Sequence, residues 1–236
     1  MREEMIAENL KEVQKKIEEA KVRGEHSAKE VSLIAVSKTK PIPDLKEAYD
    51  AGAREYGENR VQELCEKIPE LPDDIRWHLI GHLQKNKVKY IVDQVVLIHS
   101  VDSFELAEEI EKQAVKKNVD VSVLIEVNMG GEESKFGCKP EDTLELARRI
   151  SVLPHVHVKG LMTVAPFVED PEENRPVFRQ MRELSVDIDK ENIDNISMGV
   201  LSMGMTGDYE VAVEEGATMV RVGTGIFGER NYNLGV

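Results

Sequence analysis

The chain has 236 residues, 41% hydrophobic and 32% charged, which is enough apolar material for one sizeable core and suits a one-domain α/β barrel spanning residues 1–236. A formal charge of −14 argues against a general nucleic-acid binder, because an acidic surface repels phosphate backbones unless a local basic patch overrides it. Cys65 and Cys138 are the two cysteines, and without a CxxC pair they suggest neither a disulfide framework nor a structural zinc site and fit a reducing compartment.

Residues 1–20, MREEMIAENLKEVQKKIEEA, alternate acids and bases around an apolar stripe of Met5, Ile6, Leu10, Val13 and Ile17. This is a helical period, not the apolar core of a signal peptide. No uninterrupted run approaches the roughly 20 apolar residues of a membrane span, so a cytoplasmic protein is expected. Beyond this helix, short β-branched runs alternate with longer charged, helix-periodic ones, the pattern of a parallel sheet built from βα units. The predicted strands are 31–38, 55–59, 76–82, 95–102, 121–128, 156–164, 194–200 and 218–225. Helices are predicted at 44–53, 60–68, 85–92, 103–117, 140–152, 174–188 and 208–217, with Pro43, Gly52, Pro140 and Gly216 near their ends. Eight right-handed βα units close into a barrel, whereas five or six make an open sheet, so the expected fold is a single (β/α)8 TIM-type barrel with an extra N-terminal helix. Two half-size domains are the alternative, but no linker divides the chain. The stretch VAPFVEDPEENRP (164–176) is a longer loop able to act as a flap.

In such barrels the active centre lies at the C-terminal ends of the strands, where the βα loops converge. Those ends carry Lys38, Asn59, His82, Asp102, Asn128 and Thr163. Lys38 closes the apolar run LIAVSK, and burial of its stem favours the neutral amine that a Schiff-base nucleophile needs. A solvated strand-end lysine, with Lys40 beside it, is the competing reading. The loops after strands 7 and 8 usually cradle phosphate in this fold. Here Ser202, Met203, Gly204 and Thr206 are expected to follow strand 7, and Gly223, Thr224 and Gly225 to follow strand 8. Small residues permit close backbone approach and the hydroxyls donate to phosphate oxygens. A rim lysine facing a phosphate cradle describes either a pyridoxal phosphate protein or a Schiff-base aldolase acting on sugar phosphates.

Eight stretches resemble those of the pyridoxal phosphate homeostasis protein family: AVSKTKP (35–41), YGENRVQE (56–63), WHLIGHLQKNK (77–87), HSVDS (99–103), EVNMGGEESKFG (126–137), KGLMTVAP (159–166), LSMGMTGDYEVAV (201–213) and VRVGTGIFGER (220–230). The resemblance runs from about residue 5 to 232, and it extends to the N-terminal barrel of alanine racemases. It implies that Lys38 forms an internal aldimine with pyridoxal 5′-phosphate. It further implies that Ser202, Met203, Gly204, Gly223 and Thr224 build the phosphate cradle, and that Arg221 approaches the pyridine nitrogen. Asn59 and His82 look like residues lining the cofactor's ring face and hydroxyl side. The chain departs from the commoner family pattern at Met129 and at Thr206, where serine is usual; threonine keeps the hydroxyl.

The resemblance also bears on catalysis. An arginine at the ring nitrogen is donor-only and disfavours ring protonation, which weakens the electron sink. The related racemases take an opposite-face tyrosine from a second β-domain, whereas here about a dozen residues follow the last strand. Tyr56, Tyr209, Tyr232, Cys65 and Cys138 are weak substitutes. The expectation is a monomeric, non-catalytic binder that stores, buffers or delivers the cofactor, with transient contact to apo-enzymes that use it. A weak amino-acid racemase and the sugar-phosphate aldolase are the alternatives.

Overall fold

Each β-branched run folds as a strand in the computed structural model, which describes residues 2–131 and 136–229. The strands are β1 (Ser32–Val36), β2 (Glu55–Glu58), β3 (Arg76–Leu79), β4 (Leu97–Val101), β5 (Val121–Glu126), β6 (Val156–Met162), β7 (Ile196–Met205) and β8 (Met219–Val222). All pairings are parallel and follow chain order, and β8 pairs with β1 through Ile34 opposite Arg221, which closes the barrel. Closure leaves no exposed strand edge.

The outer helices are α1 (Arg2–Arg23), α2 (Ile42–Asp50), α3 (Val61–Lys67), α4 (Phe104–Lys117), α5 (Thr143–Ile150), α6 (Arg175–Lys190), α7 (Tyr209–Glu214) and α8 (Thr224–Phe227). After β3 the predicted helix at 85–92 is instead a 3-10 segment, Lys85–Tyr90. The α8 turn is only four residues long, and α1 packs against α8, α7 and α2, so the N-terminal helix completes the ring at the β8/β1 seam. Its stripe is buried at Ile6, Leu10, Val13, Ile17 and Ala20; Met5, expected in that stripe, is 43% exposed.

Seven of the predicted strands run past their observed C-terminal ends, by one to three residues. Strand 7 departs the other way. It extends to Met205, so Ser202, Met203 and Gly204 lie within a barrel strand and not in the loop after it. The φ of Gly204 is +93°, and a Cβ there would sit 2.6 Å from the Ala212 Cβ and 2.9 Å from the Tyr209 Cα. Glycine at this position lets α7 press against β7. No helix among the described residues is long and apolar enough to cross a membrane.

Candidate functional site

A cavity of about 710 Å³ opens at the C-terminal rim of the barrel. That volume falls in the range of small-molecule sites. Its wall includes Lys38, Asn59, Thr206, Arg221, Gly223 and Thr224, six of the ten residues expected to bind a cofactor. Val36, Ile80, Val164 and Met205 supply apolar surface, and residues 164–168 of the predicted flap form one side.

Lys38 follows β1 in a turn whose next residue, Thr39, has φ +64°. A β-branched residue is strained in that region by about 1–3 kcal/mol and stays there only where its surroundings insist. Glu63 accepts the Thr39 N–H at 2.5 Å, and Lys67 donates to the Ser37 carbonyl at 2.7 Å. The same Lys67 ammonium binds Glu58 and Glu63, each at 2.6 Å, and Ser37 Oγ donates to Glu58 Oε1 at 2.6 Å. Lys67 and Glu58 are 6% and 0% exposed, so α3 anchors the Lys38 turn from beneath through a buried ion pair. Burial pushes the Glu58 carboxyl above its ordinary range, against the pull of Lys67 and Ser37. Lys40 has a different job: its ammonium reaches the carbonyls of Phe227, Gly228 and Glu229 at 2.9–3.2 Å.

Across the cavity, Thr206 Oγ1 accepts the N–H groups of Gly223 and Gly225, each at 3.3 Å. This hydroxyl and the backbone after β8 therefore converge on one spot. Asp208 fixes the Thr206 turn by accepting the Met205 N–H at 2.7 Å. Asn174 donates to Asp208 at 2.9 Å and to the Pro166 carbonyl at 2.9 Å, which ties the flap to this turn. The Phe167 side chain, 96% exposed, stands at the flap's outer tip.

Arg221 lines the cavity floor at 3% exposure, donating to Ser202 Oγ at 2.5 Å and to the Thr163 carbonyl at 2.8 Å. Burial lowers its pKa to about 10, with Glu126 and Asp208 opposing, so it stays charged at neutral pH. Glu126, at the end of β5, is driven up to about 7 by burial and by the negative charge of Asp102, with Arg221 opposing. Thr163 in turn donates its hydroxyl to the Val127 carbonyl at 2.7 Å.

Four expected site residues lie outside the cavity wall. Ser202 sits below the floor against Arg221, while Met203 is buried in the core and Gly204 packs on α7. His82, three residues beyond the end of β3, stacks on Phe136 with ring centroids 3.8 Å apart. Of the weak acid candidates, Tyr56 is buried and donates to the Leu45 carbonyl, Tyr209 is buried on α7 and Cys65 is exposed on α3. Cys138 is half-buried, and none of these four lines the cavity. Tyr232 lies outside the described residues. Sequence reasoning missed Glu58 and Lys67, and it missed His78 and His99, both buried inside the barrel. The histidines carried a signal: His78 stands between Trp77 and Leu79 and His99 follows Leu97 and Ile98, each a polar residue within a strand-like apolar run.

A family model described as alanine racemase, N-terminal domain, matches residues 4–231. A pyridoxal phosphate homeostasis protein of Aquifex aeolicus is 51% identical over 97% of this chain and 98% of its own length. The structure of PipY from Synechococcus elongatus with PLP bound is 36% identical, covers 94% of this chain and all of that one, and superposes with a TM-score of 0.82. The alanine racemase of Clostridium difficile, at 14% identity and a TM-score of 0.75, shares the fold over 96% of this chain and 58% of its own.

Proposed function

Because the chain belongs to the alanine racemase N-terminal domain family, and within it to the pyridoxal phosphate homeostasis proteins, we propose that it binds pyridoxal 5′-phosphate as a Schiff base on Lys38. In this reading it is a cytoplasmic monomer that stores, buffers or delivers the cofactor, with transient contact to apo-enzymes, and has no robust catalytic activity. The observation that carries the reading is the joint lining of one rim cavity by Lys38, Thr206, Gly223, Thr224 and Arg221.

The residues present fit the group. Asn59 Oδ1 is buried in the cavity wall with no hydrogen-bond partner, an arrangement that a bound polar ligand would satisfy. Thr206 Oγ1 accepts the Gly223 and Gly225 N–H groups, which holds the turn after β8 against the hydroxyl and leaves the hydroxyl proton to donate to a phosphate oxygen. When bound, the cofactor supplies an aldehyde that condenses with an amine and a ring that withdraws electrons. The chain's own part is to bind, orient and restrain. Lys38 provides the amine, Thr206 with residues 223–225 holds the phosphate, and Asn59 borders the ring. Arg221 offers only donors and remains cationic, so it disfavours a proton on the ring nitrogen and weakens the electron sink. Among the described residues the cavity wall carries no tyrosine, histidine or cysteine to move a proton on the second face, which favours a carrier over a racemase.

Protein loaded with the cofactor should show an absorbance band of the lysine-linked form that Lys38→Ala abolishes. A band that survives the substitution would refute the linkage. Solvent-deuterium exchange at the Cα of a panel of amino acids should stay well below about 1 per second, the low end of ordinary enzyme turnover. Faster exchange would establish the racemase instead.

A further inference from the structure

Beneath the cavity a line of polar side chains crosses the barrel. Arg221 on β8 donates to Ser202 Oγ on β7 at 2.5 Å, and Ser202 Oγ meets His99 Nδ1 on β4 at 2.9 Å. His99 Nε2 meets His78 Nδ1 on β3 at 2.9 Å, and His78 Nε2 meets Glu55 Oε2 on β2 at 2.6 Å. Ser202, His78 and His99 are at most 1% exposed, whereas the Glu55 side chain is 23% exposed and is also held by Arg76 at 2.6 Å. The line thus joins the outer end of β2 to the floor of the cavity.

Its two ends fix its polarity. A guanidinium only donates and a carboxylate only accepts. Ser202 accepts from Arg221, so its single proton is left for His99 Nδ1. With both rings neutral, His99 then carries its proton on Nε2 and gives it to His78 Nδ1, and His78 carries its proton on Nε2 and gives it to Glu55. The opposite order would set an unprotonated His78 Nε2 against the carboxylate at 2.6 Å, or would need an extra proton in a buried pair. Burial above all, and the positive charge of Arg221, hold His99 well below its ordinary pKa, in keeping with a neutral ring. Burial of Glu55 works against its charge, but His78 and Arg76 outweigh it and the carboxyl lies below its usual range. The other charges bearing on the chain are Glu126 and Asp208, which act on Arg221.

We propose that Glu55, His78, His99 and Ser202 form a one-directional hydrogen-bond chain that holds Arg221 and sets how strongly its guanidinium donates into the cavity. They are positioning residues for the ring end of the cofactor, acting through Arg221; this rests on the reading that pyridoxal phosphate occupies the cavity. Each link polarises the next, so a change at Glu55 reaches the cavity through four hydrogen bonds without moving the backbone.

The test has two arms on the full chain. In cofactor-free protein labelled with 15N-histidine, long-range proton–nitrogen correlations should find His78 and His99 both neutral with the proton on Nε2. Glu55→Ala should shift the His99 Nδ1 resonance although Glu55 does not touch His99, and Glu55→Gln, which keeps an accepting oxygen, should restore it. A proton on Nδ1 of either ring in the unaltered protein, or no response of His99 to Glu55→Ala, overturns the chain. In protein loaded with pyridoxal phosphate, Glu55→Ala should move the absorbance band of the bound cofactor and Glu55→Gln should leave it in place. An unmoved band with the histidine response intact refutes the influence on the cavity. Failure of the unaltered protein to take up pyridoxal phosphate refutes the functional reading and the role toward the ring together, while the histidine arm still decides whether the chain exists.

Discussion

Lys67→Met removes the ammonium that binds Glu58, Glu63 and the Ser37 carbonyl at 2.6–2.7 Å while keeping a side chain of similar length. Glu58 is then a fully buried carboxylate that keeps only the Ser37 hydroxyl on Oε1, and its Oε2 already has no partner. Breaking one side of a buried pair costs about 3–5 kcal/mol, a large share of the roughly 5–15 kcal/mol that holds a domain together. The cost depends on pH with a definite sign. Burial already raises the Glu58 pKa, and losing the cation raises it further. The native state then binds a proton that the unfolded state has released, so stability falls as pH rises from the ordinary carboxylate range toward the elevated native pKa. The variant should therefore be less damaged near pH 5 than near pH 8. Urea unfolding of both proteins at the two pH values measures this as a change in midpoint at constant slope. A loss under about 1 kcal/mol at pH 8, or the same loss at both pH values, would show that the pair does not anchor the turn. Adding Glu58→Leu to Lys67→Met should recover most of the stability, because an apolar pair replaces the orphaned charge.

Thr206→Val removes the hydroxyl that gathers the Gly223 and Gly225 N–H groups; one or two hydrogen bonds at about 1 kcal/mol each predict a roughly 5- to 30-fold weaker cofactor affinity by titration, and unchanged affinity would remove Thr206 from the cradle. Glu126→Gln abolishes a carboxyl whose native pKa of about 7 lies above the unfolded value, so the unaltered protein should lose up to about 3 kcal/mol between pH 5 and 8 that the variant keeps. Parallel pH profiles of the two unfolding midpoints would contradict that assignment. Gly204→Ala forces a Cβ to 2.6 Å from the Ala212 Cβ at a left-handed φ, for a loss of about 2–4 kcal/mol by chemical unfolding, and a cost below about 1 kcal/mol would mean that α7 can move away freely.

The barrel was legible because its signal is local: β-branched runs alternate with amphipathic ones, and each element's period is written in its own residues. Strand 7 shows where that reading stops. ISMGVLSMGM contains two glycines and two serines, which read as a turn, yet closure of the barrel between β6 and β8 keeps the run extended to Met205. The segment Lys85–Tyr90 likewise carries helical apolar spacing yet folds as a 3-10 helix.

The same division runs through the site. From its sequence alone the chain is committed to eight βα units, to a lysine at the first strand's end and to small and hydroxyl-bearing residues beside the last two strands, because those choices depend on neighbours in the chain. Which of them face one another is a property of closure. It brings Lys38 and Thr206, 168 positions apart, to one cavity, takes Ser202 out of the expected loop and sets it beneath Arg221, and leaves His82 outside the wall. Closure also assembles the two arrangements that no local pattern contains, the Lys67–Glu58 pair under the lysine turn and the Glu55-to-Arg221 line through the lumen. Both are made of polar side chains whose partners lie on other strands and helices, and burial makes those partners necessary.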